Sequence, residues 1–592
     1  MLRRILAVVG LVLFVGALGL GAAFVFRFEL LRWKQDLPAY THQPGDDRDQ
    51  RVEMRDGVGL ATTIRLPAGD ERWPTVLIRN PYERFDRVAR DLWCGIFIRY
   101  GYGCVYQDVR GQMGSEGEWD PFVNERFDGQ DMLGWLAAQP FHDGNLALYG
   151  ASYLAAVQWA VADSLPPEVK TFIPTVATTD LRRALYENGM FRHETFTAWA
   201  AMMRDGTMRS DAGDEYRAAL AHHPHAEVDE KIFGMKLPWY QEWLQGGVAT
   251  APIWQRDDYH ALLATPGKTQ VPVLMIGGWY DIFLGPQVDD FNGLGSRSRS
   301  KLVIGPWTHI GEASGVLEFP DSEGGLAQWP RVLDWLGHHL RGEPLEQGVG
   351  VETYVMGENR WAKRAAWPPP TQPERLHLVA AEPPGCAGSL ASQAPQRDQE
   401  IRYRYDPFDP TPTVGGGGML AFILPGFGGA APANQWQPEP CHRPDVVSFL
   451  GEPLPRPLHI AGSVEVMLTV RSDAGDTAFH AKLSEVFADG TAVNVRDGVN
   501  TLSHRNGRGD AGYAPGDAVA LPIRMWPIEW VAKAGSRLRL DVSSADFPKY
   551  HAHRNRVGPW AEVAEPVPAE QALLAGPARE AYVTLPVAEP GS

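Results

Sequence analysis

Between residues 146 and 155 the chain reads Leu-Ala-Leu-Tyr-Gly-Ala-Ser-Tyr-Leu-Ala. A short apolar run ends at a small-residue turn carrying Ser152, and an apolar run of helical character follows. A buried strand, a sharp turn and a helix, in that order, lift a serine out of the sheet so that it can meet both a base and a carbonyl. Small neighbours permit the strained backbone. The backbone N–H of the next residue, Tyr153, then points at the oxyanion that forms on an attacked carbonyl. The usual spacing is G-x-S-x-G, and here Leu154 takes the last place. A serine between small residues also serves as a turn or cap residue, so the fragment needs partners.

Two later strands supply them. The run Val271 to Ile276 is followed by Gly277-Gly278-Trp279-Tyr280-Asp281, and Lys301 to Ile304 by Gly305-Pro306-Trp307-Thr308-His309. Both polar residues sit just past the C-terminal end of a predicted strand, where open α/β sheets place their sites. The order Ser, acid, His is the one this strand–turn–helix setting requires. His309 would take the Ser152 proton, and Asp281 would hold the imidazole tautomer.

The surrounding pattern agrees. Asp56-Gly57 between two strand-like runs predicts a hairpin. Strands at 75–78, 102–107, 146–149 and 171–174 alternate with helical spacing at 128–138 and 154–161, which predicts a mostly parallel sheet. Strand runs disappear over 178 to about 265, where Arg182 to Arg204 reads as helix, and resume at 271. After 350 short alternating runs separated by turns predict a β-sandwich or jelly roll. The run Gly415 to Gly418 reads as a flexible loop inside it. The expected division is 1–35 anchor or signal and start of tether, 36–177 core first part, 178–268 helical cap, 269–350 core second part, and 351–592 jelly roll.

Residues 5 to 26 are uncharged and apolar between Arg3-Arg4 and Arg27. About 20 such residues span a bilayer, and the run exceeds the apolar region of a cleaved signal. The expectation is a single-pass membrane anchor with the catalytic body outside the cytoplasm. Four cysteines exclude a disulfide framework. Cys94 with Cys104 and Cys386 with Cys441 are pairing options, but isolated buried thiols are the expected state. A net charge of −17 argues against nucleic-acid partners. No metal-ligand spacing, phosphate loop or dinucleotide fingerprint stands out, so neither metal nor cofactor is expected.

Several segments together resemble the CocE/NonD family of serine hydrolases, which includes esterases, amino-acid ester hydrolases and X-Pro dipeptidyl-peptidases. They are Met54-Arg55-Asp56-Gly57-Val58, Arg79-Asn80-Pro81-Tyr82, Gln107-Asp108-Val109-Arg110-Gly111, the Ser152 segment, the Asp281 and His309 segments, Tyr405-Asp406-Pro407 and Ser544-Ala545-Asp546-Phe547-Pro548. The resemblance covers about 50 to 585. It implies an α/β-hydrolase core, an inserted helical cap and a C-terminal β jelly roll. It also implies an oxyanion hole made by the Tyr82 hydroxyl beside the Tyr153 N–H; on residue type alone Tyr82 reads as a packed aromatic. Relatives usually carry Gly where Ala155 stands. In the amino-acid ester hydrolases, carboxylates that bind the substrate amine closely follow the catalytic acid. Here Ile282, Phe283 and Leu284 follow Asp281, which favours an apolar acyl pocket. Phe283 is expected to line it. Trp279 and Trp307 flank the acid and base as pocket or packing residues. Asp108-Val109-Arg110 reads as a local pairing or capping motif.

The leading expectation is a serine hydrolase cleaving an ester or amide through an acyl-enzyme, with a small-molecule or short-peptide substrate and homo-oligomers an option. An X-Pro dipeptidyl-peptidase is the second reading and needs an anion for the peptide amine; Glu187, Glu194 and Asp205 are candidates. A non-catalytic ligand-binding protein using the jelly roll is the third, and the intact Ser152, Asp281 and His309 speak against it.

Overall fold

The structure is a computed structural model that describes residues 26–589 except 83–89, 207, 210, 312–314, 323–324, 383–384 and 420–428. Twelve strands come first in the chain: β1 Arg48–Glu53, β2 Gly59–Arg65, β3 Trp73–Asn80, β4 Gly103–Asp108, β5 His142–Ala151, β6 Val169–Thr175, β7 Tyr186–Glu187, β8 Met190–Phe191, β9 Leu274–Tyr280, β10 Lys301–Thr308, β11 Gly350–Val355 and β12 Arg360–Arg364. All but β7 and β8 join one sheet in the order β1-β2-β4-β3-β5-β6-β9-β10-β11-β12. Pairings from β4 across to β11 are parallel, while β1–β2, β2–β4 and β11–β12 are antiparallel. Strands β3, β9 and β10 are buried along their whole length. That is why they read as apolar runs rather than alternations.

The hairpin at Asp56-Gly57 forms, with Gly57 at φ +84° and Glu53 opposite Gly59. Helices Glu125–Ala137 and Tyr153–Trp159 fall where helical spacing predicted them, and helix Trp329–Arg341 follows β10. The sheet runs past the expected limit at 350, because β11 adds parallel to β10 and β12 pairs back along β11, ending at Arg364. In the Asp108-Val109-Arg110 motif only Asp108 acts locally, accepting the Gly114 N–H at 3.2 Å, while Arg110 reaches across to Asp128 at 2.6 Å and Asp56 at 2.8 Å.

Between β6 and β9 the chain builds a cap around an aromatic core that includes Trp199, Trp239, Trp243 and Trp254. The stretch expected as one helix from Arg182 to Arg204 is interrupted. Helix Leu181–Leu185 gives way to the β7–β8 hairpin, and a helix resumes at His193–Met203. Asn188 at φ +48° and Gly189 at φ +86° make the two-residue turn, and only residues at ease with positive φ serve there. A Cβ on Gly189 would lie 2.3 Å from the His504 ring, so the site is closed to larger residues as well.

The remaining strands form a C-terminal β jelly roll, beginning at Thr371 and ending at Ala588. It shares a hydrophobic core with the α/β sheet, a core that includes Trp279, Tyr354 and Trp530. Arg496 donates to the Trp279 carbonyl at 2.7 Å, which locks the jelly roll to the strand carrying the candidate acid. The Gly415 to Gly418 run is not a free loop. Gly415 and Gly416 are buried at positive φ, and Gly416 exchanges two 2.8 Å backbone hydrogen bonds with Ala433.

Two expectations are corrected. The cysteines are paired, Cys94 with Cys104 and Cys386 with Cys441. Cα separations of 5.3 and 5.7 Å suit such bridges, and sequence spacing carried no sign of that proximity. The membrane-anchored, extracytoplasmic placement is withdrawn: among the described residues no helix is long and apolar enough to cross a membrane. The run expected as the anchor lies outside the described residues up to Val25.

The cap meets the jelly roll through buried imidazoles. The His225 and His551 rings stack on Trp560 at 5.1 and 4.2 Å, and His193 lies 4.5 Å from His225. Burial, reinforced by nearby Arg554, holds all three below the usual imidazole range, His193 at about 3. Unfolded histidine titrates near ~6.5. Between that value and the depressed folded one, the unfolded chain binds protons the folded chain refuses, so stability falls as pH falls. His193 alone should cost about 2 kcal/mol at pH 5 relative to pH 8. Urea midpoints at the two pH values check this: His193→Gln should lose less on acidification than the unmodified chain, and equal losses would assign the acid sensitivity elsewhere.

Candidate active site

Strand β5 delivers Ser152 and β6 receives it. Ser152 sits at φ +58°, ψ −123°, a strained region for a side-chain-bearing residue. Its N–H donates to the Thr175 carbonyl at 2.9 Å, and its own carbonyl accepts from Ala155 and Ala156, which opens helix Tyr153–Trp159. The turn is so tight that a Cβ on Gly150 would meet the Leu154 Cβ at 2.5 Å. This explains why glycine precedes the turn, while the position after it admits leucine.

Strands β9 and β10 bring the partners. His309 Nε2 lies 3.0 Å from Ser152 Oγ, and His309 Nδ1 lies 2.6 Å from Asp281 Oδ1. The carboxylate on Nδ1 places the imidazole proton there and turns the Nε2 lone pair to the serine hydroxyl. Asp281 is 1% exposed, and its second oxygen accepts the Phe283 N–H at 2.9 Å. Phe283 stands edge-on to the His309 ring at 5.2 Å.

The oxyanion side comes from the end of β3. Asn80 donates to the Tyr82 carbonyl at 2.8 Å and fixes the turn. The Tyr82 hydroxyl accepts from the Trp199 indole at 3.4 Å and also hydrogen-bonds Ser152. Burial pushes it up to about 12, so it stays a protonated donor. The Tyr153 phenol is committed elsewhere: it donates to Glu125 at 2.9 Å and accepts the Phe122 N–H at 2.9 Å. Glu125 in turn pairs with Arg79 at 3.0 Å, both buried. Only the Tyr153 backbone N–H, in the first turn of its helix, is left to face an oxyanion. The Arg-Asn-Pro-Tyr segment is therefore a scaffold at Arg79 and Asn80 and a candidate donor at Tyr82. Trp199, which holds that donor, was not singled out from the sequence.

A cavity of about 1110 Å³ opens onto Ser152, Tyr82 and His309. Phe122, Phe196, Trp199, Trp243 and Phe283 give it an apolar wall on the cap side. Trp279 and Trp307 are corrected to packing residues. Both are fully buried beneath the site, donating to the Tyr354 and Ser322 carbonyls at 2.8 and 2.9 Å, and neither reaches the cavity. Among the described residues no cap carboxylate lines it either. Glu187 is held by Arg192 at 2.7 Å and Tyr550 at 2.6 Å, Glu194 accepts the Ala430 N–H at 3.1 Å, and Asp205 faces Arg209 at 3.4 Å.

Among the described residues, His480, Asp497 and Asp546 are grouped closely enough to hold a cation. Lys549 already pairs with Asp497 there, and Lys482 stands 3.9 Å from Asp546, so protein ammonium groups answer the carboxylates.

An α/β sheet with Ser, Asp and His just past the ends of β5, β9 and β10, joined by hydrogen bonds of 3.0 and 2.6 Å, defines a serine hydrolase. Residues 56–311 match the X-Pro dipeptidyl-peptidase (S15 family) domain, and 346–584 match the X-Pro dipeptidyl-peptidase C-terminal non-catalytic domain. Cocaine esterase of Rhodococcus sp. (strain MB1 Bresler) is 32% identical over 90% of this chain and 97% of its own length. The chain belongs to the CocE/NonD and X-Pro dipeptidyl-peptidase family of serine hydrolases. The fold is shared with an α-amino-acid ester hydrolase (TM-score 0.77, 23% identity, 92% of this chain and 97% of that one). It is shared too with an aminopeptidase from the marine sediment archaeon Thaumarchaeota archaeon (TM-score 0.76, 22% identity, 94% and 98%).

Proposed function

We propose that the chain is an esterase for substrates with an apolar acyl group. The observation that carries this reading is the cavity of about 1110 Å³ whose cap-side wall, beside Ser152, is aromatic and lacks a cap carboxylate. In this reading His309 Nε2 takes the Ser152 proton as Oγ forms a bond to the ester carbonyl carbon. The oxygen becomes an anion held by the Tyr82 O–H and the Tyr153 N–H. Collapse breaks the bond to the alcohol oxygen, which leaves with the proton from His309. Water then repeats the sequence on the acyl-enzyme and releases the acid. Asp281 keeps the imidazole oriented and stabilises its cationic form. The similarity to a cocaine esterase supports ester chemistry.

The match to X-Pro dipeptidyl-peptidase domains favours a second reading, removal of X-Pro dipeptides. That activity needs an anion for the free peptide amine, and the three cap carboxylates considered for it are engaged outside the cavity. A non-catalytic binding role leaves the 3.0 Å Ser152–His309 contact without a purpose.

Gly-Pro p-nitroanilide, its N-acetylated counterpart and p-nitrophenyl butanoate separate the readings. The ester should be hydrolysed, and acetylation of the amine should change anilide turnover by less than about threefold, since no buried charge is left unpaired. A free-amine preference of about tenfold or more would move the assignment to the dipeptidyl-peptidase.

A further inference from the structure

The cavity has a second wall that lies outside both matched domains. Helix Arg27–Lys34 precedes the sheet, and its Leu31 and Lys34, with the following Gln35, line the same cavity as Ser152. The helix is seated by several independent contacts. Phe28 is buried with the Arg99 guanidinium 3.7 Å from its ring centroid, and its carbonyl accepts the Tyr40 hydroxyl. Gln35 accepts the Trp329 N–H at 3.1 Å, and Leu37 is buried just beyond.

On the side of this helix the lining includes Trp93, Tyr149, Leu326 and Trp329, together with the polar Glu318 and Ser322. Trp93 stands edge-on to Tyr149 at 5.6 Å, and Tyr149 stacks on Trp329 at 5.8 Å. Ile310 and Gly311, directly after His309, continue the wall, with Leu326 packed so close that a Cβ on Gly311 would meet its backbone nitrogen at 3.0 Å. The lining therefore falls into two sets, or arms: the cap-side aromatics with Phe283, and Leu31 with Trp93, Tyr149, Trp329 and the residues that follow His309.

His309 hands its proton to the departing oxygen, so the alcohol portion of an ester leaves along the flank of His309. We propose that the Leu31 arm receives the alcohol, that helix Arg27–Lys34 closes it, and that Leu31 selects esters of long or aromatic alcohols over esters of small ones. The inference rests on the esterase reading and names the leaving-group half of its substrate.

The test uses the full chain and two ester series. The first holds butanoate constant and varies the alcohol from methyl to 2-naphthyl. The second holds the methyl alcohol constant and varies the acyl chain. Leu31→Trp, which fills the arm, should lower the 2-naphthyl to methyl ratio of kcat/KM by about tenfold, the discrimination a hydrophobic pocket contact typically provides. Leu31→Ala should shift the preferred alcohol to a larger one. Deacylation of the common butanoyl-enzyme, read from single-turnover traces, should not depend on which alcohol formed it. Leu31 is half-buried, so the two variants bracket the site from opposite directions without emptying a core. An unmoved alcohol ratio in both variants overturns the inference, as does a response confined to the acyl series. If the unmodified chain hydrolyses no butanoate, the esterase reading fails first; if it hydrolyses methyl butanoate with an unmoved ratio, this inference alone falls.

Discussion

Ser152→Ala should lower kcat/KM on p-nitrophenyl butanoate by about 10⁴–10⁶, the range seen when a triad nucleophile is removed. The variant keeps every other part of the site. His309 retains Asp281 at 2.6 Å, and the Tyr153 N–H and Tyr82 hydroxyl remain in place. What is lost is the atom that forms the acyl bond. Stability should hardly move, because the strained turn belongs to the backbone at φ +58° and alanine meets the same strain as serine. A fluorophosphonate probe should label the unmodified chain and not the variant, while urea midpoints agree. Butanoate turnover above about 1% of the parent, far over the residual catalysis that binding and an oxyanion hole leave behind, would show that Ser152 is not the nucleophile.

The candidate triad is the most legible part of the sequence, for a physical reason. A serine nucleophile needs a local backbone shape, and Gly150, Ala151 and the strand before them advertise it. Asp281 and His309 follow strands that are buried on both faces and so stand out as apolar runs. Side chains that flank them were not legible. Trp279 and Trp307 lie in β9 and β10, where direction alternates along the strand, and both turn down into the core to donate to carbonyls. The break in the cap helix was readable and missed: Asn188-Gly189 is a hairpin turn signal that the helical reading of its flanks obscured. Disulfide pairing and the Leu31 wall depend on segments far apart in sequence, Cys386 and Cys441 or Leu31 and Trp329, and no local pattern records their meeting. Tyr82 was reached only through resemblance, since a lone tyrosine after a strand has the pattern of any packed aromatic.

That makes Tyr82→Phe the sharper test of the oxyanion hole. The ring and its packing against Tyr153 at 6.3 Å are retained, and only the hydroxyl goes. If the hydroxyl donates to charge that exists mainly in the transition state, kcat should fall by about 10²–10³, or ~2.7–4 kcal/mol, with KM little changed. If Tyr82 is merely packed, kcat should stay within about threefold, the effect of one neutral hydrogen bond lost at the edge of a pocket. The pH profile adds an independent reading. Burial raises the Tyr82 hydroxyl to about 12, and a phenol with a raised value stays a neutral donor until pH approaches it. Activity of the unmodified chain should therefore show no loss from phenol ionisation up to about pH 10, where an unshifted tyrosine would be half ionised. Trp199→Phe separates orientation from donation. The indole occupies a lone pair of the Tyr82 oxygen at 3.4 Å and turns its proton away from the cap. Its removal should cost less than about tenfold in kcat, and little or nothing once Tyr82 is already phenylalanine. Additive losses in the double variant would mean that the two aromatics act separately; near-complete overlap would make Trp199 the residue that positions the oxyanion donor.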